Sequence, residues 1–230
     1  MALSLQTPGP QGAGGSSFHQ HDPDRDCPIC PRLVAFRREA RHREPTWHNA
    51  PVPSFGDPQA RLLIVGLAPG LRGANRTGRP FTGDYAGDLL YETLITYGFA
   101  QGVYQARPDD SLTLVDSCLT NAVRCVPPEN KPTGPEIASC RPFLAGVIQA
   151  LPRLRAVVAL GRIAHESTLR ALARRQDDHR FAHGARHDLD GFALFDSYHC
   201  SRYNTSTRRL TPEMFRDVFA AVRAYLDEPA

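Results

Sequence analysis

Lysine is almost absent from this 230-residue chain: of its 27 basic residues only Lys131 is a lysine, and all the others are arginine. Chemistry that needs a side-chain amine, Schiff-base formation above all, is thereby confined to Lys131, which sits in a Pro-rich stretch beside Cys125. Long apolar runs are missing as well. No eighteen consecutive apolar residues occur, which argues against a transmembrane helix. No charged segment followed by an apolar run opens the chain, so a secretory signal is not expected, and the protein is expected to be soluble and intracellular. Two nucleotide fingerprints are also lacking. There is no G-x-x-x-x-G-K-[ST] and no G-x-G-x-x-G after a strand, so neither a P-loop nor a dinucleotide fold is supported.

What is present begins with cysteine. Cys27, Cys30, Cys125 and Cys140 form C-x2-C, a long gap, then C-x14-C. In a reducing compartment disulfides are not expected, and C-x2-C is a strong local chelate. The second pair is not another C-x2-C, so zinc-ribbon spacing is not matched. Thiolate-only ligation leaves zinc or an iron–sulfur cluster. Cys118 and Cys200 read as buried small hydrophobes rather than ligands. The net charge of +3 is mild. Arginine suits bidentate phosphate contacts, yet genome base composition is the plainer cause of its excess, and the excess alone does not identify a nucleic-acid partner.

At 230 residues and 41% hydrophobic content, a single catalytic-sized domain is expected over residues 27–230. Residues 1–26, rich in Gly, Pro, Gln and Ser, read as a disordered tail. Beyond the Pro-rich run 45–58 the chain alternates. Apolar runs at 61–66, 112–116, 155–161 and 192–195 read as strands, and helical spacing over 87–97, 137–151, 163–174 and 214–226 follows each. Four β-then-α units predict an α/β fold, a four-stranded parallel sheet sandwiched between helices.

Ligands of such sheets bind at the carboxyl ends of the strands. Here those ends carry residues 66–70, Asn121, residues 161–162 and the segment 199–204. The Gly-rich loop GLAPGLRGANRTGRPFTGD, from Gly66 to Asp84, has backbone amides and Arg72, Arg76 and Arg79 available to a phosphate. The plain alternative is a loop of structural turns. His199 and Asn121, each ambiguous alone, gain weight because both sit on this one edge.

The combination of CPIC, GLAPG followed by RTGRPFTGD, TNAVRCVPPENKPTGPEIASCRPFL and HCSRYN, in that order, resembles the iron–sulfur uracil-DNA glycosylases, and most closely their type-b branch, often called family 5. The resemblance spans residues 27–226. It implies a [4Fe–4S] cluster on Cys27, Cys30, Cys125 and Cys140, and removal of uracil from DNA. It puts Gly66, Leu67 and Ala68 against the substrate, Phe81 in stacking contact with an extruded base, Asn121 as the reader of uracil and His199 facing a uracil carbonyl. Ser201, Arg202 and Asn204 match the segment that presses into the duplex. Related branches carry an acidic or amide residue for the attacking water where this chain has Leu67, and many have proline at Cys200. That departure leaves Asp84 or Asn75 to serve the water, with Asp84 preferred because a carboxylate also stabilises cationic sugar character.

The resemblance further implies a monomer acting on double-stranded DNA, with single strands as an alternative, in a bacterial-type cytoplasm and associated with the nucleoid. Hypoxanthine, xanthine and other deaminated bases are further expected substrates. Breaking the N-glycosidic bond develops positive character on the sugar and negative charge on the base, so donors aimed at the base are the chief requirement. The base must first leave the stack. Two competing readings are a non-catalytic cluster-bearing DNA-binding module, which would not need Asn121 and His199 on one edge, and a zinc-dependent hydrolase.

Overall fold

The computed structural model describes residues 18–189 and 191–229. Eight strands and seven α-helices are present among them: β1 Phe55–Gly56, β2 Leu62–Gly66, β3 Ala100–Gln101, β4 Thr113–Leu114, β5 Ser117–Asn121, β6 Ala156–Leu160, β7 Arg186–Leu189 and β8 Phe192–Ser197, with α1 Pro31–Arg43, α2 Ala74–Thr77, α3 Tyr85–Thr96, α4 Gly134–Gln149, α5 Arg162–Ala171, α6 Arg202–Ser206 and α7 Pro212–Asp227. β5, β2, β6 and β8 are mutually parallel neighbours. The expected four-stranded parallel sheet is thus the centre of a six-stranded one, of order β1-β5-β2-β6-β8-β7. The two added strands pair antiparallel at the edges. β1 is two residues within a Pro-rich loop and β7 alternates exposed with partly buried residues, so neither carries an apolar run.

β2, β5 and β6 are buried along their whole length, the signature of a sheet covered on both faces. Successive residues point to opposite faces. Leu62 and Ile64 join Leu90, Leu94, Phe215 and Phe219 of α3 and α7, whereas Leu63 and Val65 join Leu144, Val147 and Leu169 of α4 and α5. The helix starts carry their own signals. Thr133 and Glu136 form a reciprocal capping box on α4. The Thr211 hydroxyl accepts the Met214 amide at 3.2 Å on α7, with Pro212 in the first turn.

Two expectations are corrected. The strand expected at 112–116 is displaced: Thr113–Leu114 pairs with Ala100–Gln101 in a separate small sheet, and the central strand is Ser117–Asn121. Asp116, at φ 52°, turns the chain between them. SCLTN lacks an apolar run because its polar groups are satisfied internally, as where Ser117 Oγ donates to Phe99 O at 2.7 Å.

The second concerns the expected tail. Residues 1–17 lie outside the described residues, but Phe18 is buried in the core beside α4, and Asp22 accepts the Ser54 amide at 3.0 Å and pairs with Arg124. Arg124 is fully buried and also donates to Ser54 Oγ at 2.7 Å and to Thr120 Oγ1. A buried charge deprived of its partner typically costs about 3–5 kcal/mol. Asp22→Ala is expected to lower the unfolding free energy by about that amount. The midpoint and slope of urea denaturation check this, and a loss under about 1 kcal/mol would show the pair to be dispensable.

Candidate active site

Among the parallel strands, β2 leads to a neighbour on one side and β6 to a neighbour on the other, which opens a crevice between their carboxyl ends. A cavity of about 580 Å³ lies there. Leu67, Ala68 and Gly70 after β2 line it, with Asp84, Tyr85 and Ala86 at the start of α3, Leu160 through Ile163 where β6 enters α5, and His199, Ser201 and Arg202 after β8.

The wall after β2 is shaped by close approach. A Cβ on Gly66 would stand 2.4 Å from both Asn121 Oδ1 and Phe81 Cζ, so this backbone, the amide and the aromatic ring converge only because residue 66 has no side chain. Phe81 and Asn121 are both buried. The Phe81 ring lies 6.2 Å, centroid to centroid, from His199. Phe81 itself is at φ 53°, a left-handed conformation that typically costs a non-glycine residue about 1–3 kcal/mol. Its surroundings hold it there: Tyr104 Oη donates to Phe81 O at 3.2 Å and Tyr91 Oη to Pro80 O at 2.6 Å.

Asp84 is pressed under the same loop. A Cβ on Gly73 would come within 2.2 Å of its Oδ2. Its Oδ1 is buried without a hydrogen-bond partner. Burial raises the carboxyl above the ordinary aspartate range, against the pull of the Gly87 and Ala86 amides at the start of α3. His199 is pushed down to about 4 by burial, and its Nδ1 has no partner. Burial thus favours a neutral imidazole at His199 and works against ionisation of the Asp84 carboxyl that lines the same cavity.

Other sequence-predicted residues are placed elsewhere. Asn75 does not line the cavity: its Nδ2 donates to Asn49 Oδ1 at 2.9 Å, and its carbonyl accepts the Asn49 amide at 3.0 Å. Arg79, a candidate phosphate contact, is committed to the fold. It forms a two-pronged pair with Asp110 at 2.7 and 2.8 Å, beneath the rings of Phe55, Tyr91 and Tyr104. Arg72 and Arg76 remain exposed. Asn204 braces this edge of the sheet, donating through Nδ2 to His199 O at 2.8 Å. Sequence reasoning missed Tyr85 and Ile163, both in first turns that face the cavity; Tyr85 follows Asp84 directly, and that adjacency was the available signal.

The four cysteines meet on the far side of the β2 loop. Cys27, Cys30, Cys125 and Cys140 line one enclosed cavity of about 20 Å³ together with Leu33, Val123 and Phe143. All are free thiols. Arg37 Nη1 donates to Cys125 Sγ at 3.5 Å and the Arg124 amide to Cys140 Sγ at 3.3 Å. Burial pushes the Cys125 thiol up to about 11 and Cys140 up to about 12, so a positive centre is what would hold them as thiolates. Cys118 lies in the sheet core, and Cys200 Sγ is 3.5 Å from Ala86 O.

Comparison with known proteins agrees with this arrangement. Residues 53–223 match the family model described as the uracil DNA glycosylase superfamily. A type-5 uracil-DNA glycosylase of Thermus thermophilus is 49% identical, covering 84% of this chain and 90% of the relative. Another type-5 enzyme, of Pyrobaculum aerophilum, is 38% identical over 86% of this chain and 88% of its own length. A type-4 enzyme of the same organism is 32% identical over 68% and 66%. A glycine loop folded over a half-buried carboxylate, an amide and an aromatic ring meeting at Gly66, and a matched segment that contains all of them lead to one conclusion: the chain belongs to the uracil DNA glycosylase superfamily.

Proposed function

We propose that this protein is a monofunctional uracil-DNA glycosylase of the type-5 branch, which hydrolyses the N-glycosidic bond of uracil in double-stranded DNA and so initiates base excision repair. The observation that carries this is a cavity on the carboxyl edge of the sheet lined by Asp84 and His199, with the buried Phe81 ring 6.2 Å from His199 and meeting Asn121 at Gly66. An extruded uracil stacks on Phe81 and is read by the Asn121 amide. The neutral His199 imidazole donates to a carbonyl on which negative charge grows as the bond breaks. Asp84, with no hydrogen-bond partner on Oδ1, acts as the carboxylate that orients water and faces the cationic sugar. Leu67 has no group for that task, and Asn75, whose Nδ2 donates to Asn49, does not line the cavity. Exposed Arg72, Arg76 and Arg202 serve phosphate contacts that hold register without reading sequence.

Cys27, Cys30, Cys125 and Cys140 would hold a [4Fe–4S] cluster. The four line one cavity, and their C-x2-C then C-x14-C spacing is not that of a zinc ribbon, which favours a cluster. When bound, the cluster supplies a structural clamp and no step of base removal. It would tie the segment before α1, with Cys27 and Cys30, to Cys125 after β5 and to Cys140 of α4. Lys131, next to the cavity-lining Asn130, is exposed and pairs with Glu129 at 3.3 Å; it does not itself line the cavity, which favours hydrolysis without strand cleavage. The catalytic unit is a single domain, monomeric, acting on nucleoid DNA in a bacterial-type cytoplasm.

The test is incubation of the iron-loaded protein with duplexes bearing a central G·U pair, alongside hypoxanthine and xanthine counterparts. Free uracil and an unbroken strand with an abasic site are expected. Absence of uracil release refutes the reading; a borohydride-stable adduct lost in Lys131→Ala refutes monofunctional action. Stoichiometric zinc with no iron or sulfide after anaerobic purification refutes the cluster.

A further inference from the structure

Three of the nine histidines gather around one buried carboxylate outside the cavity described above. Asp196, on β8, is fully buried. His165 of α5 places Nδ1 2.7 Å from Asp196 Oδ1, and His187 of the edge strand β7 places Nε2 2.9 Å from Asp196 Oδ2. These three ligand atoms all lie within 4.8 Å of one another.

The other nitrogen of His165 decides what the arrangement can hold. Nε2 is 2.8 Å from the carbonyl oxygen of His179, which only accepts, so Nε2 carries the hydrogen. Nδ1 then aims its lone pair at a carboxylate oxygen, another acceptor. Two facing acceptors need a shared positive charge: a second proton on the line between them, or a metal ion set to one side of that line and bound by both. A histidine that donates its remote N–H to a backbone carbonyl while aiming the other nitrogen at a carboxylate-lined point is oriented as metal-bound histidines are. The carboxylate is braced in the same way, since the Ala182 amide donates to Oδ2 at 3.3 Å. His179 adds a further imidazole, its ring 5.6 Å from that of His187. The His187 side chain is 11% exposed, which leaves the cluster an entry path from solvent.

We propose that His165, His187 and Asp196 form a second metal site, separate from the cysteines, that takes a divalent ion of the zinc type. Two imidazoles and one carboxylate are borderline ligands suited to zinc, with water or His179 as the fourth. The ion would cross-link α5, β7 and β8 three residues before His199, so its role is to fix the end of β8.

The experiment uses the iron-loaded full chain, freed of loosely held metal and equilibrated with Zn²⁺ alone. One zinc per chain should be retained in addition to the iron, with an X-ray absorption shell of nitrogen and oxygen at about 2.0–2.1 Å. The melting temperature should rise with zinc concentration. His187→Gln, on an exposed edge strand where the fold tolerates change, should lower zinc affinity at least about tenfold and remove the thermal shift. Failure to retain zinc would mean that protons alone bridge the pair, and the proposal falls. It falls equally if the zinc shell contains sulfur at about 2.3 Å, which would place the ion on the cysteines, or if His187→Gln binds zinc as the parent does.

Discussion

Asp84→Asn should lower single-turnover release of uracil by about a thousandfold, within the range of an acid–base contributor, while making the protein more stable. Both effects follow from one placement. The carboxylate is held under the Gly70–Gly73 turn with Oδ1 unpartnered, so ionisation is disfavoured by burial and tolerated for the sake of function. Its folded-state pKa is raised above the unfolded value, so the folded form binds the proton more tightly; this group therefore stabilises the fold increasingly as pH falls and costs stability once ionised. Asparagine has the same shape without the charge, and its melting temperature at pH 7 should exceed that of the parent. The parent rate should fall as pH drops through the raised Asp84 pKa, and the residual activity of Asp84→Asn should lack that acid limb. If Asp84→Asn keeps the parental rate while Asn75→Ala destroys it, the water belongs to Asn75.

His199→Ala should cost about a hundredfold in the same assay, the scale of losing one donor to a developing anion. His199→Gln should recover part of it, since a neutral donor is what the site uses. The sign is opposite to that of Asp84. Burial depresses the His199 pKa to about 4, so the unfolded chain takes up the proton first, and this residue's contribution to stability is lost as pH falls from the ordinary histidine range toward 4. Between those limits the folded enzyme keeps a neutral imidazole, a donor whose strength does not change with pH. Activity should therefore show no loss attributable to His199 from about pH 5 upward. A rate that fell through neutrality in the parent, and not in His199→Gln, would mean that the imidazolium is the working form.

The alternation of apolar runs with helical spacing was enough to read a parallel sheet, because a strand covered on both faces must be apolar throughout, as in Leu62–Gly66 and Ala156–Leu160. The carboxyl edge followed from that order, and with it the neighbourhood of His199 and Asn121. Ser117–Asn121 escaped the reading because its polar side chains are satisfied by distant groups, Phe99 O for Ser117 and Arg124 for Thr120. The segment 18–26 escaped for the same reason: composition describes a tail, whereas Asp22 is anchored by an arginine a hundred residues on.

What the sequence by itself determined was the chemistry available: four thiols at chelating spacing, a glycine loop, one lysine, and motifs of a recognisable kind and order. Only the tertiary structure decided which of these groups are free to act. On paper Asp84 is only slightly preferred to Asn75, yet one lines the cavity and the other does not, its Nδ2 bonded to Asn49; Arg79 resembles Arg72 and Arg76 until Asp110 claims it. Helical and strand periodicity are local properties of the chain and can be read along it. Burial, and the identity of a polar group's partner, depend on residues brought together from far apart, and those two quantities set the charge and the freedom of every side chain in the site.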